Sequence, residues 1–351
     1  MVVIHTLPNE SRFRGEEGFL PEESLYLGAF GERRMPEQIN SLQERGRENV
    51  WLHRCALLTA WATFPLLFIG GLVTSKGAGL AVPDWPTTFG HHMFLYPWSK
   101  MVGNIFYEHS HRLVASGVGL LTLTLALLLW VYEPRRWLRC LGLIALALVI
   151  VQGVLGGLRV VLLEQTLAIL HACLAQAFFA FTVSLVLFTS REWKEKAPRI
   201  HALDAGRVRR LCVLTTALIY VQGFYGALLR YTGERLDAHL LLAALVALHV
   251  LLLGYRILKP HSDQPKLSHP MILLGGLLTL QVALGLGSYL AKFTAVGVAL
   301  PPLTVVILTT THVVTGALML ATSLVLTLRS YRLLALPEPL ADQRILSKAS
   351  L

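Results

Sequence analysis

Four of the thirteen histidines lie at matching places inside long apolar stretches, two in each half of the 351-residue chain. They are His111, His171, His239 and His312. Imidazole is the commonest metal ligand, and an ionisable residue inside an apolar span is costly and functional by default. Zinc would gather about four ligands at one point, whereas two separate pairs suit two haem irons with two axial histidines each. The spacing therefore predicts two bis-histidine haem sites.

The surroundings of the first pair differ from those of the second. Glu108 precedes His111 by three residues, and a helix would put both on one face. The corresponding residue before His239 is Leu236. We expect chemistry at the first site, with Glu108 as a proton donor or acceptor or as a stabiliser of positive charge, and electron transfer at the second. The alternative is that Glu108 only pairs with a Lys or Arg at the interface.

Four arginines are candidate partners for haem propionates: Arg112, Arg159, Arg230 and Arg235. Arg112 follows His111 directly, while Arg159 and Arg230 end two related segments, VQGVLGGLR and VQGFYGALLR. The guanidinium fork matches the geometry of a carboxylate. The competing interpretation is that these side chains simply extend to the membrane interface.

Eight apolar stretches must position these residues. A membrane-spanning helix needs about 20 mostly apolar residues, and the chain is 54% hydrophobic with only 15% charged residues. A soluble domain has about 25% charged residues, so the predicted fold class is an all-α integral membrane protein. The predicted spans cover residues 55–73, 109–131, 141–158, 166–188, 211–229, 238–255, 271–291 and 303–328.

The halves of the chain resemble each other. Besides the two related segments, spans 4 and 8 both carry a histidine toward one end and finish near an arginine. We therefore expect eight transmembrane helices arranged as two pseudo-symmetric four-helix bundles in the same orientation. The predicted divisions are a polar tail at 1–50, the first unit at 51–190, a basic linker at 191–210, the second unit at 211–330 and a tail at 331–351.

The net charge of +10 follows from the loops rather than from a basic domain. One side of the predicted membrane holds 24 Lys and Arg residues and the other side 6. The positive-inside rule then predicts that both termini are cytoplasmic, or face the matrix. A nucleic-acid partner would need a basic face on a soluble domain, so we expect anionic lipid instead.

Two motifs resemble those of the heme A synthase family of cytochrome oxidase assembly. They are GGLVTSKGAGLAVPDWPTTFG at 70–90 and EHSHRLVA at 108–115, and the resemblance extends over about residues 51–332. Some members carry a cysteine pair in the first outer loop. This chain has no cysteine there, so a thiol-linked role does not carry over.

The resemblance implies an oxidoreductase that converts haem O to haem A by oxidising the C8 methyl group to a formyl group. It implies that His111 and His171 hold the substrate haem O beside a catalytic Glu108, and that His239 and His312 hold haem b. Haem O synthase and an unidentified, ferredoxin-like electron donor become candidate partners. The expected location is a prokaryotic plasma membrane or, in a eukaryote, the mitochondrial inner membrane.

The alternative function is a b-type electron-transfer cytochrome with bis-histidine haems. It would explain the four histidines, but not Glu108 or the long outer loop at 74–108.

Overall fold

A computed structural model describes residues 34–195 and 199–336, with side chains from residue 50 onward. Eight long α-helices dominate this part of the chain. In chain order they are α1 Arg34–Ser75, α2 Gly103–Tyr132, α3 Arg136–Val161, α4 Gln165–Thr189, α5 Ala205–Thr232, α6 Leu236–Leu258, α7 Pro265–Phe293 and α8 Pro302–Leu333.

Each of these helices contains a stretch that is long and apolar enough to cross a membrane. The eight predicted spans are confirmed, and the protein is an all-α integral membrane protein. Several helices begin before their predicted spans; α2, for example, begins at Gly103 rather than at residue 109. The added residues include Asn104 and Glu108, whose polar side chains hid the helix start from a count of apolar residues.

The first helix also starts before its predicted span. It begins at Arg34, and its membrane-crossing part is Val50–Ser75. Part of the predicted tail at 1–50 is therefore helical, while residues 1–33 lie outside the described residues.

Two large clusters of buried apolar side chains lie between the helices, and a smaller third one joins α4 to α5 through Ile169, Cys173 and Ala227. The first contains Leu52, Leu125, Leu138 and Leu185, one from each of α1 to α4. The second draws on α5 to α8, and α4 adds Phe179 to it. The second cluster thus draws on five helices, and the units at 51–190 and 211–330 stay predictions. The pseudo-symmetry of these units stays a prediction.

Short elements lie within the predicted linker at 191–210. A one-turn helix, Arg191–Lys194, follows α4. Strand β1, Ile200–His201, pairs in parallel with β2, Leu334–Ala335, which follows α8. This pairing joins the chain before α5 to the end of α8. Residues 196–198 and 337–351 lie outside the described residues.

Candidate functional site

The loop between α1 and α2, called the outer loop after the predicted topology, is held against α2 by the side chain of Arg112. Its Nη1 donates to the carbonyls of Asp84 (2.7 Å) and Thr87 (3.1 Å), and its Nη2 donates to the carbonyl of Val82 (2.9 Å). The same Nη2 lies 2.9 Å from Oε1 of Glu108. With only 10% of its side chain exposed, Arg112 fastens the loop over this part of the helix.

Glu108 lies beneath the same loop, with 4% of its surface exposed. Its Oε2 accepts a hydrogen bond from the backbone N–H of Val82 at 2.9 Å, while Oε1 pairs with Arg112. A buried carboxylate needs such a charged partner and hydrogen bonds to be tolerated. Glu108 and His111 lie three residues apart in α2, which puts them on one helix face.

Asp84 closes a turn within the loop. Its carboxylate accepts hydrogen bonds from the backbone N–H groups of Phe89 (2.7 Å) and Gly90 (2.9 Å) and from the Thr87 hydroxyl (2.5 Å). Partial burial disfavours the charge, but these hydrogen bonds outweigh it and lower the pKa of Asp84 to about 2. The turn is therefore held by an ionised carboxylate at neutral pH.

Each of the four candidate histidine ligands packs its ring on a glycine of the preceding helix. A Cβ added to that glycine would lie 3.2 Å from His111, 3.0 Å from His171, 3.1 Å from His239 and 3.0 Å from His312. The four glycines are Gly70, Gly156, Gly226 and Gly285, in α1, α3, α5 and α7. Close approach of ring and backbone thus recurs four times.

The rings of His239 and His312 face each other from α6 and α8. Their centroids lie 6.4 Å apart, and the ring planes meet at 72°. Two metal–imidazole bonds of about 2 Å each would put two ring centres roughly 6 Å apart. The buried Nδ1 atoms of both rings have no hydrogen-bond partner within the described ranges. This pair fits a single iron between two axial imidazoles.

A compact metal centre needs several metal-binding side chains close together. No group of three or more His, Cys, Asp or Glu side chains with metal-binding geometry occurs among them. A tetrahedral zinc site would need such a group.

Two other predicted propionate partners, Arg159 and Arg230, contact α1 or the loop that follows it. Nη2 of Arg159 donates to the carbonyl of Gly79 at 2.9 Å. Nη2 of Arg230 donates to the carbonyl of Gly71 (2.8 Å) and to the hydroxyl of Ser75 (2.7 Å). These contacts tie α3 and α5 to α1 and its following loop. A role with propionates stays a prediction for Arg112, Arg159 and Arg230.

Sequence reasoning missed His109. It is 1% exposed, its Nδ1 lies 3.2 Å from the Thr88 hydroxyl, and its ring centroid lies 5.2 Å from that of Tyr96. His109 therefore anchors the outer loop from the side of α2 that faces away from His111. In the sequence, the only sign of this role is an ionisable residue at the edge of an apolar span.

Sequence reasoning also missed three glutamines, Gln152, Gln222 and Gln281, which contact His171, His239 and His312. The signal was present, because the related segments repeat a glutamine four residues before a glycine.

Residues 53–238 match the COX15-CtaA family, described as cytochrome oxidase assembly protein. The chain belongs to this family. The matched part of this COX15-CtaA member includes Glu108, His111 and His171 and ends one residue before His239.

Three similar proteins are named heme A synthase. The one from Shouchella clausii is 31% identical over 193 residues, which are 53% of this chain and 61% of that protein. The one from Bacillus pumilus is 25% identical over 278 residues, 70% of this chain and 88% of that protein. The one from Exiguobacterium sibiricum is 27% identical over 189 residues, 51% and 60% respectively.

The chain therefore spans about three fifths of the length of the Shouchella clausii relative. None of these three names is that of a cytochrome, so the comparisons do not favour the alternative of a b-type electron-transfer protein.

Proposed function

We propose that this protein is a heme A synthase, which oxidises the C8 methyl group of haem O to a formyl group. The observation that carries the proposal is the buried Glu108, fastened beneath the outer loop by Arg112 and sharing a helix face with His111. In a chain of this family, that arrangement puts an ionisable group beside a candidate iron ligand.

The two histidine pairs bind different haems. His111 and His171 hold the substrate haem O in the unit built by α1 to α4. His239 and His312 hold haem b in the unit built by α5 to α8, and their ring separation of 6.4 Å supports this. Haem b, when bound, supplies one-electron transfer.

Glu108 handles protons at the first site. Oxidation of a methyl group to a formyl group replaces two C–H bonds with a C=O bond. With O2 as the oxidant, each of the two oxygen insertions consumes two protons and two electrons from the donor and releases one water. A carboxylate in a buried position can deliver such protons. Arg112 keeps that carboxylate in place, and the outer loop covers it and excludes water.

Arg112, Arg159 and Arg230 differ in how many of their guanidinium nitrogens already donate to partners among the described residues. In the described part of the chain Arg159 and Arg230 each donate through Nη2 alone, which leaves the rest of each guanidinium fork for a carboxylate. Arg112 has both Nη atoms engaged by the loop and Glu108. We therefore assign propionate binding first to Arg159 and Arg230, and loop attachment to Arg112.

The excess of Lys and Arg on one side supports a topology with both termini in the cytoplasm or matrix. The site then faces the outer side of a prokaryotic plasma membrane or of the mitochondrial inner membrane. Haem O reaches the site through the lipid or from haem O synthase, and a ferredoxin-like protein is a candidate electron donor.

Chromatography of the haems extracted from the purified protein tests this function. After co-expression with haem O synthase, a heme A synthase yields haem b together with haem O, haem A or an oxidised intermediate. A preparation that contains haem b alone would refute the proposal and favour a b-type cytochrome.

A further inference from the structure

One segment of the outer loop packs some of its apolar side chains on the protein and leaves others uncovered by the described residues. It contains two 3-10 turns, Met93–Leu95 and Trp98–Lys100, shortly before α2. Between them Tyr96 is only 7% exposed, and its ring centroid lies 5.2 Å from that of His109 in α2. Met101 is also buried. The segment is therefore fixed to the protein through these inward side chains.

The other large apolar side chains of the segment are exposed. Leu95 is 77% exposed and Trp98 is 78% exposed, and Phe94 and Val102 are also mostly uncovered. Single apolar residues at a surface need no explanation, but a concentration of them marks a site that binds a membrane or another protein. These four residues, Phe94, Leu95, Trp98 and Val102, are called the apolar patch below.

The position of the apolar patch in the chain favours the lipid bilayer as its partner. Helix α2 contains 30 residues, so it is about 45 Å long, close to the thickness of a bilayer with its headgroups, about 40–45 Å. Its first residue, Gly103, therefore lies near the level of the headgroups. Trp98 stands five residues earlier and lies no more than about 18 Å from Gly103. Tryptophan is enriched at this level of membrane proteins.

Exposed apolar side chains continue from the apolar patch into the membrane-spanning part of α2. Val102 directly precedes the helix, and Phe106 in its first turn is exposed. Further along, Leu120 and Leu127 are exposed on a helix that crosses the membrane, where lipid covers such side chains. The apolar patch thus adjoins a lipid-facing surface. Lys100 lies within the segment and is exposed, and a lysine at this level can extend its ammonium group to the headgroups.

We propose that the apolar patch inserts into the lipid surface, at the membrane face where α1 ends and α2 begins, and anchors the outer loop there. Lipid then holds the segment from one side, while the contact between Tyr96 and His109 holds it from the other. The inference uses only the loop and the membrane-spanning helices. It is therefore independent of haem binding and of the oxidation of the methyl group.

Spin labels test whether the apolar patch lies in lipid. A nitroxide is attached to the new cysteine of Leu95→Cys or Trp98→Cys, in full-length protein in nanodiscs of phosphatidylcholine and phosphatidylglycerol. Cys55 and Cys140 are first replaced by alanine, because the other two cysteines are buried. The control is His91→Cys, which labels an exposed polar position of the same loop. The readout is the accessibility of each nitroxide to oxygen, which concentrates in lipid, relative to a water-soluble nickel chelate.

We expect the ratio of oxygen to nickel accessibility to be several-fold higher for the two patch labels than for the control label. Ratios equal to that of the control would place the apolar patch in water and overturn the proposal. Patch labels shielded from both reagents would also overturn it, because a protein surface, such as a second copy of this chain, would then cover the apolar patch.

Tryptic cleavage at Lys100 gives a second measurement that needs no label. Because Trp98 is mostly exposed among the described residues, Trp98→Ser removes little packing within the protein. Losing the burial of one large apolar side chain in lipid shifts the attachment equilibrium by about tenfold, and cleavage follows the population of the detached segment.

We therefore expect cleavage at Lys100 in nanodiscs to be about tenfold faster in Trp98→Ser than in the wild type. The matched control, Trp98→Leu, stays apolar and should change the rate much less. Wild-type cleavage of Trp98→Ser would contradict the anchor. Equally fast cleavage of both variants would contradict it as well, since apolar character would then not be what protects the segment.

Discussion

Replacing Glu108 with glutamine tests whether its carboxylate takes part in chemistry or only anchors the outer loop. Both roles are compatible with the contacts, because Oε1 pairs with Arg112 and Oε2 accepts the Val82 N–H, each at 2.9 Å. Glutamine keeps the length of the side chain and one acceptor oxygen, but it has no negative charge and cannot act as a base.

Replacing Glu108 with alanine or with glutamine should weaken the attachment of the outer loop to different degrees. Glu108→Ala removes both hydrogen bonds and the partner of a buried charge, which costs about 3 kcal/mol, the low end of the range for such pairs, because Arg112 keeps three carbonyl acceptors. Glu108→Gln keeps one acceptor and should cost about 1 kcal/mol. Loss of a general acid or base lowers a rate by about 100-fold to 10,000-fold.

The assay follows haem A formed per mole of protein in cells that co-express haem O synthase, together with tryptic cleavage at Lys76 and Lys100, which flank the loop. We expect Glu108→Gln to lose at least about 99% of haem A formation while the loop stays nearly as protected as in the wild type. The control is Asp84→Asn, which weakens the turn and leaves the Glu108–Arg112 pair in place.

The Asp84→Asn variant should be cleaved by trypsin more readily than Glu108→Gln. It should nevertheless reduce haem A formation less than Glu108→Gln does. Wild-type haem A formation by Glu108→Gln would refute a chemical role for the carboxylate. An equal loss in Asp84→Asn would show that the loop, and not the charge of Glu108, limits the reaction.

Three further outcomes are expected. His239→Leu should remove the haem b signal from reduced-minus-oxidised spectra, and full occupancy would contradict the ligand assignment. Gly285→Ala places a methyl group 3.0 Å from the His312 ring and should lower haem b content by about tenfold, whereas Gly275→Ala, where an added Cβ meets nothing within 4 Å, should not. Because its folded pKa is lowered to about 2, Asp84 stabilises the loop above its ordinary pKa, and this contribution is lost as pH falls from about 4 to 2. Peptic cleavage of the loop should rise over that window, and cleavage that is independent of pH there would contradict it.

The membrane helices could be predicted because a single physical constraint fixes them. A span must be about 20 residues long and nearly free of charge, and the eight runs satisfy this without reference to their neighbours. The same constraint made four histidines conspicuous, because an ionisable side chain inside a membrane span is energetically costly and usually functional. They are His111, His171, His239 and His312.

The contacts of the outer loop could not be predicted, because most of its partners are backbone groups. Arg112 donates to three carbonyls and Glu108 accepts from the N–H of Val82, and a carbonyl or N–H has no signature in the sequence. The prediction that Arg112 binds a propionate followed from its type and position alone. Its contacts with the loop depend on how a segment about thirty residues upstream folds.

The glutamines beside the histidines were visible as a repeat but not as contacts. Gln152, Gln222 and Gln281 each precede a glycine by four residues, and a small residue in such a pattern is a usual sign of helix packing. Only the folded structure shows that they also contact the histidines.

Conversion of haem O is the most direct test of the central claim. The protein is expressed with haem O synthase in cells that otherwise make no haem A, and the extracted haems are separated by chromatography. The account predicts haem A with the wild-type chain and haem O without haem A when Glu108→Gln replaces it. Haem O as the sole product with the wild-type chain, at normal protein levels and with haem b bound, would contradict it.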